Sequence, residues 1–345
     1  MNNIPKRLAG PAILLALFLV IFAGAQFRLV DLYIQSVIMF IGINIILSVS
    51  LNIVNGFMGE FSCGHAGFMA VGAYVASLLS VWLFADDRVF GAALLPGGAA
   101  VILFPVIILL GGAAAAVAGL LVALPSFRTR DDYLAIITIA ANAIITSTII
   151  NIDFIGGSRG FMGMKGTVFA MIDVQNLPYM LIWIFLFTVL VVSATKRLFT
   201  STYGKGIIAI KQDEIAAEIM SVDTNGMKIM AFMLSSGMAG IAGGLYAHVL
   251  GYVNPGSFGI LKSTEVLVMV YLAGMGTLSG SVISATLFTL LLELMRPFQI
   301  LKWVLIPLML ILLMQFRPEG LMGDRELTDI FPKLRKWFGR AEEAV

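Results

Sequence analysis

The chain has 345 residues, of which 59% are hydrophobic and 12% charged, and its mean hydropathy is +0.98. Soluble domains carry roughly twice that charged fraction, so a soluble globular fold is excluded. A net charge of +2 leaves no electrostatic footprint for nucleic acid, and the single cysteine, Cys63, excludes an internal disulfide or a cysteine-rich metal site.

Apolar runs cover residues 11–27, 32–54, 62–84, 99–124, 133–151, 178–195, 229–251, 264–294 and 302–316. Several approach the roughly 20 residues that cross a bilayer as helix, and all are too continuous for the alternating strands of a barrel. The fold class is therefore all-α: a polytopic transmembrane bundle of about 8–10 spanning or re-entrant helices, one domain over residues 1–345. The first run follows Lys6 and Arg7 and ends in Ala23-Gly24-Ala25, which mimics a signal-peptide cleavage site. A second run follows almost at once, and the first reads as a transmembrane helix. The 264–294 run is long for one crossing and short for two, and Gly274, Gly276 and Gly280 interrupt it. It reads as two short or re-entrant helices.

Basic residues set orientation. They are Lys6 and Arg7; Arg128 and Arg130; Lys196, Arg197, Lys205, Lys211 and Lys228 in a loop over 196–228; and Arg317, Arg325, Lys333, Arg335, Lys336 and Arg340 in a tail over 317–345. Both termini and the 196–228 loop fall inside, which requires an even number of crossings, and counting 264–294 twice gives ten. Residues 152–177 then face outward. Their Asp153, Gly156, Gly157, Ser158, Arg159, Gly160, Gly163 and Lys165 lack the G-x-x-x-x-G-K-[ST] spacing of a phosphate loop. This segment is a turn-rich connection, or a gate or docking surface for an external partner.

Within the inside loop, Tyr203–Asp223 is a polar, helix-favouring island. Asp213 and Glu214 suit the start of a short helix, where the macrodipole favours negative charge. Ile215, Ile219 and Val222 form one apolar stripe, Ala216 and Ala217 permit close backbone approach, and Glu214 and Glu218 are like charges one turn apart. Lipid-surface helices carry Lys and Arg on the polar face. An acidic face fits insertion into a basic-rimmed groove on a soluble partner.

Two glycine-interrupted segments share the pattern Met-Gly-x-apolar-Ser: Met58-Gly59-Glu60-Phe61-Ser62 and Met275-Gly276-Thr277-Leu278-Ser279. Paired broken helices often form the path or gate of a transporter, because unwound backbone offers free N–H and C=O groups. Gly59, Glu60, Ser62, Gly64, His65, Gly274, Gly276 and Ser279 are the candidates, beside the bland reading that the glycines only permit close packing. Glu60 has three readings, a ligand for a substrate ammonium, a partner of His65, or a marker of an interfacial turn, and the third is preferred. His248 reads as a hydrogen-bonded structural histidine. Ser236, Gly240 and Gly244, with Ala239, Gly243 and Ala247 beside them, form small-residue ridges for helix contact, internal or between subunits, and the Gly111–Gly119 region has the same character.

Two histidines without ligand spacing and one cysteine assemble no metal centre and no nucleophile–base constellation, so no catalytic residue is assigned. Span centres hold almost no carboxylates, which weakens an ion-coupled secondary carrier. A non-transporting scaffold would have no use for paired breaks.

The segments 50–79, 154–164, 203–232, 237–259, 267–285 and FRPEGLMG over 316–323 together resemble the LivM-type permease subunits of bacterial ABC importers for branched-chain amino acids. Residues 131–142, DDYLAIITIAAN, resemble that family's Tyr-x-Ala-x-x-Thr-Leu run, with Asn142 where an acidic residue is usual. The resemblance implies a homologous permease partner, two cytoplasmic ATPases that hold ATP and Mg, a periplasmic amino-acid-binding protein, and no cofactor on this chain. It implies an inner-membrane location with both termini cytoplasmic. Asp213, Glu214, Ile215, Ala216, Ala217 and Glu218 would match the family's ATPase-coupling element. The cargo would be a branched-chain amino acid, with urea or another amino acid as the alternative.

Overall fold

The computed structural model describes residues 9–27, 29–85, 91, 93–127, 133–174, 177–298, 301–316, 320, 322–323 and 326. Lys6, Arg7, Arg128, Arg130 and the basic residues of the 317–345 tail lie outside them.

The chain is a helical bundle. In order it forms α1 (Ala9–Gln26), α2 (Leu32–Asn52), α3 (His65–Phe84), α4 (Gly97–Ser126), α5 (Tyr133–Ile150), α6 (Met164–Val174) and α7 (Tyr179–Thr200). There follow α8 (Thr202–Gln212), α9 (Glu214–Ile219), α10 (Thr224–Leu250), α11 (Ile260–Ala273), α12 (Leu278–Leu294) and α13 (Lys302–Phe316). Among the described residues six helices are long and apolar enough to cross a membrane: α2 with its extension to Met58, α3, α4, α5, α7 and α10. The interrupted 264–294 stretch is two helices, α11 and α12, as its glycines predict.

α10 is the centre of the bundle and packs on α2, α3 and α4. Its small-residue ridges explain how. Apolar contact gives no driving force between helices in lipid, so close approach and dispersion must hold them together. Gly240 backs onto Gly72 of α3 and onto Gly111 and Ala115 of α4. Gly243 lies on the Met69 carbonyl, and Gly244 faces Ala76 and Ile108. Ser236, Ala239, Gly240, Gly243, Gly244 and Ala247 are all buried, so these ridges are internal contacts. His248 is satisfied within the same core, by the Gly244 carbonyl at 2.7 Å and Ser80 Oγ at 2.8 Å, with its ring edge-on to Phe104.

The 152–177 segment is more ordered than a turn-rich connection. Gly156, Gly157, Gly160 and Gly163 all have positive φ, which accounts for the glycine density. They thread two 3₁₀ turns into β1 (Phe161–Met162), which pairs antiparallel with β2 (Tyr252–Val253) just after α10. α6 then lies back on the bundle, where Thr167 Oγ1 donates to the Ser80 carbonyl at 3.2 Å. This cap closes the end of the bundle opposite α8 and α9.

The close approach at Gly243 predicts a sharp contrast. A side chain there meets carbonyl backbone on α3, whereas a Cβ on Gly98, in the first turn of α4, meets nothing within 4 Å. Gly243→Val should cost about 1–3 kcal/mol or more by overpacking, read as a lower thermal midpoint or lost monodisperse protein in detergent. Gly98→Ala should be neutral or slightly stabilising in the same assay.

Candidate coupling site and paired helix breaks

Three helix starts fall within residues 201–226, and each has a side-chain cap. Ser201 Oγ accepts from the Gly204 amide at 3.3 Å, Asp213 Oδ1 from Ala216 at 3.0 Å and Asp223 Oδ1 from Gly226 at 3.0 Å. The caps cut this polar segment into α8, α9 and the start of α10. α9 turns back into α10 through Ser221, whose φ of 63° is the one positive value at a non-glycine among the described residues.

α9 has two unlike faces. Ile215, Ile219 and Met220 are 71–78% exposed, and Ala216 is exposed beside them. Ala217 is buried against the bundle. The two glutamates reach partners on α10, Glu214 half-buried and Glu218 exposed. Lys228 Nζ donates to Glu214 Oε2 at 2.8 Å, and Thr224 Oγ1 donates to Glu218 Oε1 at 3.0 Å. Glu214 and Glu218 are one turn apart on α9, Thr224 and Lys228 one turn apart on α10, and the two rows mate. The exposed side of α9 is thus mainly apolar, with Asp213 and Glu218 also exposed on it, while Glu214 is drawn to the bundle. Glu214 is engaged by a lysine that the sequence reading counts as loop charge and the fold buries, and Glu218 by a threonine hydroxyl. Val222 falls past the end of α9, half-buried, and Met220 takes its place on the exposed side.

The first break follows α2. Residues Ile53–Met58 form a π-helical turn, and Gly59, at φ 82°, ends it. The chain then runs through Glu60–Gly64 to α3. Glu60 is buried, with Oε1 2.8 Å from Lys228 Nζ, and the side chains of Glu60 and Lys228 are 10% and 7% exposed. The preferred reading of Glu60 as an interfacial marker is therefore corrected: a cation buried at the start of α10 needs a counter-charge, and Glu60 supplies it. His65 does not meet Glu60 but pairs with Ser50 Oγ at 2.7 Å. The Ser62 amide donates to Asn55 Oδ1 at 3.2 Å, and Gly64 presses on the Thr138 carbonyl of α5. Ser62, Gly64 and His65 thus build the packed entry to α3. Asn142, one turn further along α5, is buried with its Oδ1 against Gly67.

The second break is the Gly274–Thr277 turn, where Gly274 and Gly276 have φ of 103° and 88°. The two breaks meet. Gly56 lies against the Gly276 amide with no room for a side chain. Asn52 Oδ1 accepts from Gly276 N at 3.0 Å, and Asn52 Nδ2 donates to Thr277 O at 3.0 Å and Ser281 Oγ at 2.9 Å. The Lys211 stem of α8 lies over Gly59, and its Nζ sits beside Gly276. Ser279 is held from the tail: Glu326 accepts from the Leu278 amide at 2.8 Å, from the Ser279 amide at 3.1 Å and from the Ser279 hydroxyl. Gly320 packs on Gly274 at the same place. Lys228, Asn52 and Glu326 are the residues sequence reasoning missed. Asn52, a polar residue in the last turn of an apolar span beside a glycine break, is the one that carried a readable signal.

At this end of the bundle, then, a short helix with an apolar outer face is tied by ion pairs and contacts to two mutually satisfied breaks. The family model described as "Branched-chain amino acid transport system / permease component" matches residues 33–314. The chain belongs to this family. It is a multi-pass membrane permease subunit of the branched-chain amino acid ABC transport type, a transport component and not an enzyme. It is 29% identical over 326 residues to the high-affinity branched-chain amino acid transport permease LivM of Escherichia coli, covering 88% of this chain and 72% of that protein. A probable LivM of Methanocaldococcus jannaschii is 24% identical over 345 residues, with 88% and 96% covered. LivH of Salmonella typhimurium is 19% identical over 297 residues, with 83% and 92% covered. No solved structure matches the chain.

Asn52 sets the next expectation. Asn52→Ala leaves the part-buried Gly276 amide without its acceptor, at about 1–3 kcal/mol, while the Thr277 carbonyl keeps the Ser281 hydroxyl and amide as donors. The variant's thermal midpoint should fall well below wild type. Asn52→Asp keeps the acceptor for Gly276 but sets a buried carboxylate oxygen against the Thr277 carbonyl, and should also fall below wild type. Equal midpoints for all three would show that the breaks do not depend on this side chain.

Proposed function

We propose that the chain is one of two permease subunits of an ATP-driven importer that moves a branched-chain amino acid inward by alternating access, with ATP and Mg held on two separate ATPase subunits. The observation that carries this is the outer face of α9. Ile215, Ile219 and Met220 stand in solvent on a helix fastened from behind. Covering a side chain of this size contributes about 1.5–3 kcal/mol, so the face suits a groove on a soluble protein. Its position beside both breaks gives such a partner a short route to the transmembrane helices.

In this reading the α8–α9 end is cytoplasmic. Gly320, packed on Gly274, brings the tail to that end, in keeping with ten crossings by α1–α5, α7 and α10–α13 and with both termini inside the inner membrane. The capped end with β1 and β2 then faces the periplasm, where a binding protein would deliver cargo. A homologous LivH-type subunit would complete the path. The end of α5 supports a path shared with it: Ser147 and Thr148 on this helix and Asn151 just past it stand exposed along an open groove of about 570 Å³. Polar side chains at such a place suit water or protein better than lipid. Nucleotide binding acts on the permease only through a difference in affinity for its two states, and in this reading α9 is where that difference is delivered.

The chain, its permease partner, both ATPases and the binding protein in liposomes should take up leucine, isoleucine or valine only with ATP, and unlabelled urea should not compete. Ile219→Glu should abolish ATPase recruitment while leaving the thermal midpoint of the permease unchanged. Gradient-driven uptake without any ATPase would contradict the proposal.

A further inference from the structure

Lys228 holds two carboxylates that belong to different parts of the machine. Glu60 lies at the first break, one residue after the positive-φ Gly59. Glu214 is the first residue of α9. Both oxygens are 2.8 Å from Nζ. The two pairs are not equivalent: the Glu60 side chain is 10% exposed and the Glu214 side chain 36%. Two carboxylates sharing one ammonium repel each other, and the pair at the deeper site is held the more firmly because its charges have less access to water.

We propose that Lys228 is the positioning residue that carries movement of α9 to the α2–α3 break, a proposal that rests on the importer reading above. With Glu214 in place, α9, the first turns of α10 and the segment at Glu60 move as one body. Ser221 forms the tight joint between α9 and α10, and the Val222 amide donates to the Ala217 carbonyl across it at 3.1 Å. A pull on α9 therefore reaches Lys228 at the Glu214 side and leaves through Glu60 at the Gly59 side. Thr224–Glu218 fastens the far end of the helix and keeps it from pivoting about a single contact. Lys211, lying over Gly59 and beside Gly276, passes the same displacement to the second break by packing.

The test uses the complete complex and reads ATP hydrolysed per molecule of leucine taken up, a ratio that a merely structural lysine would leave alone. Lys228→Met should hydrolyse ATP while that ratio rises about tenfold, inside the range that site-to-site coupling carries. Lys228→Arg should return it towards wild type. Glu60→Gln should also raise it, and adding Glu60→Gln to Lys228→Met should worsen it little further, because both break one link. If Lys228→Met does not assemble, Glu214→Gln decides, since that carboxylate is partly solvated and its loss spares the deeper pair. A raised ratio there supports the proposal. An unchanged ratio in Glu214→Gln, or in an assembled Lys228→Met complex, overturns it. A wild-type complex without ATP-driven uptake would instead overturn the importer reading.

Discussion

A lysine side chain buried at the mouth of an apolar bundle is the constraint around which the functional end is arranged. Charge removed from water must be paired, and breaking such a pair from one side costs about 3–5 kcal/mol. Lys228 meets that demand with Glu60 from the first break and Glu214 from α9, at equal distances. One electrostatic requirement thus fixes the position of a surface helix relative to an internal irregularity. The same requirement turns Glu214 of α9 inward and leaves its isoleucines outside. The apolar face offered to solvent is a consequence of the buried charge behind it.

The two breaks answer a second constraint, that backbone groups inside an apolar bundle must find partners within the protein. Each break frees amides and carbonyls, and Asn52 satisfies those of the second from the last turn of the helix that leads into the first. Gly59, Gly274 and Gly276 supply the left-handed backbone, and Gly56 the closeness. Irregular backbone of this kind can change shape with fewer lost hydrogen bonds than a regular helix. Its neighbours are also the segments a partner could move: α8 through Lys211, α9 through Lys228 and the tail through Glu326.

Much of this architecture is legible in the residues. Apolar run length locates the helices, because the bilayer sets a minimum length. The Met-Gly-x-apolar-Ser pair identifies two breaks that the fold then brings into contact. The polar island over 203–223 contains α9, and His248 is the satisfied core histidine its surroundings imply. What is hidden depends on pairing across sequence distance. Lys228 sits at the edge of a basic loop and reads as loop charge, and only the fold shows it inside α10. Glu214 and Glu218 read as mutually repelling neighbours, because their partners Lys228 and Thr224 lie on another helix. The short β1–β2 pair has too few residues to leave a period, and the contact of Glu326 with Ser279 joins segments that share no local signal.

The central claim is that a separate motor grips this chain by the outer face of α9. A photo-crosslinking residue placed at Ile219, with a control at Phe154 on the opposite end of the bundle, tests it in intact membranes. Both positions are well exposed. The account predicts that the Ile219 probe captures an ATPase subunit, with a yield that changes on adding ATP, and that the Phe154 probe does not. Adducts of the Ile219 probe with lipid alone, or capture of the ATPase from Phe154, would contradict it.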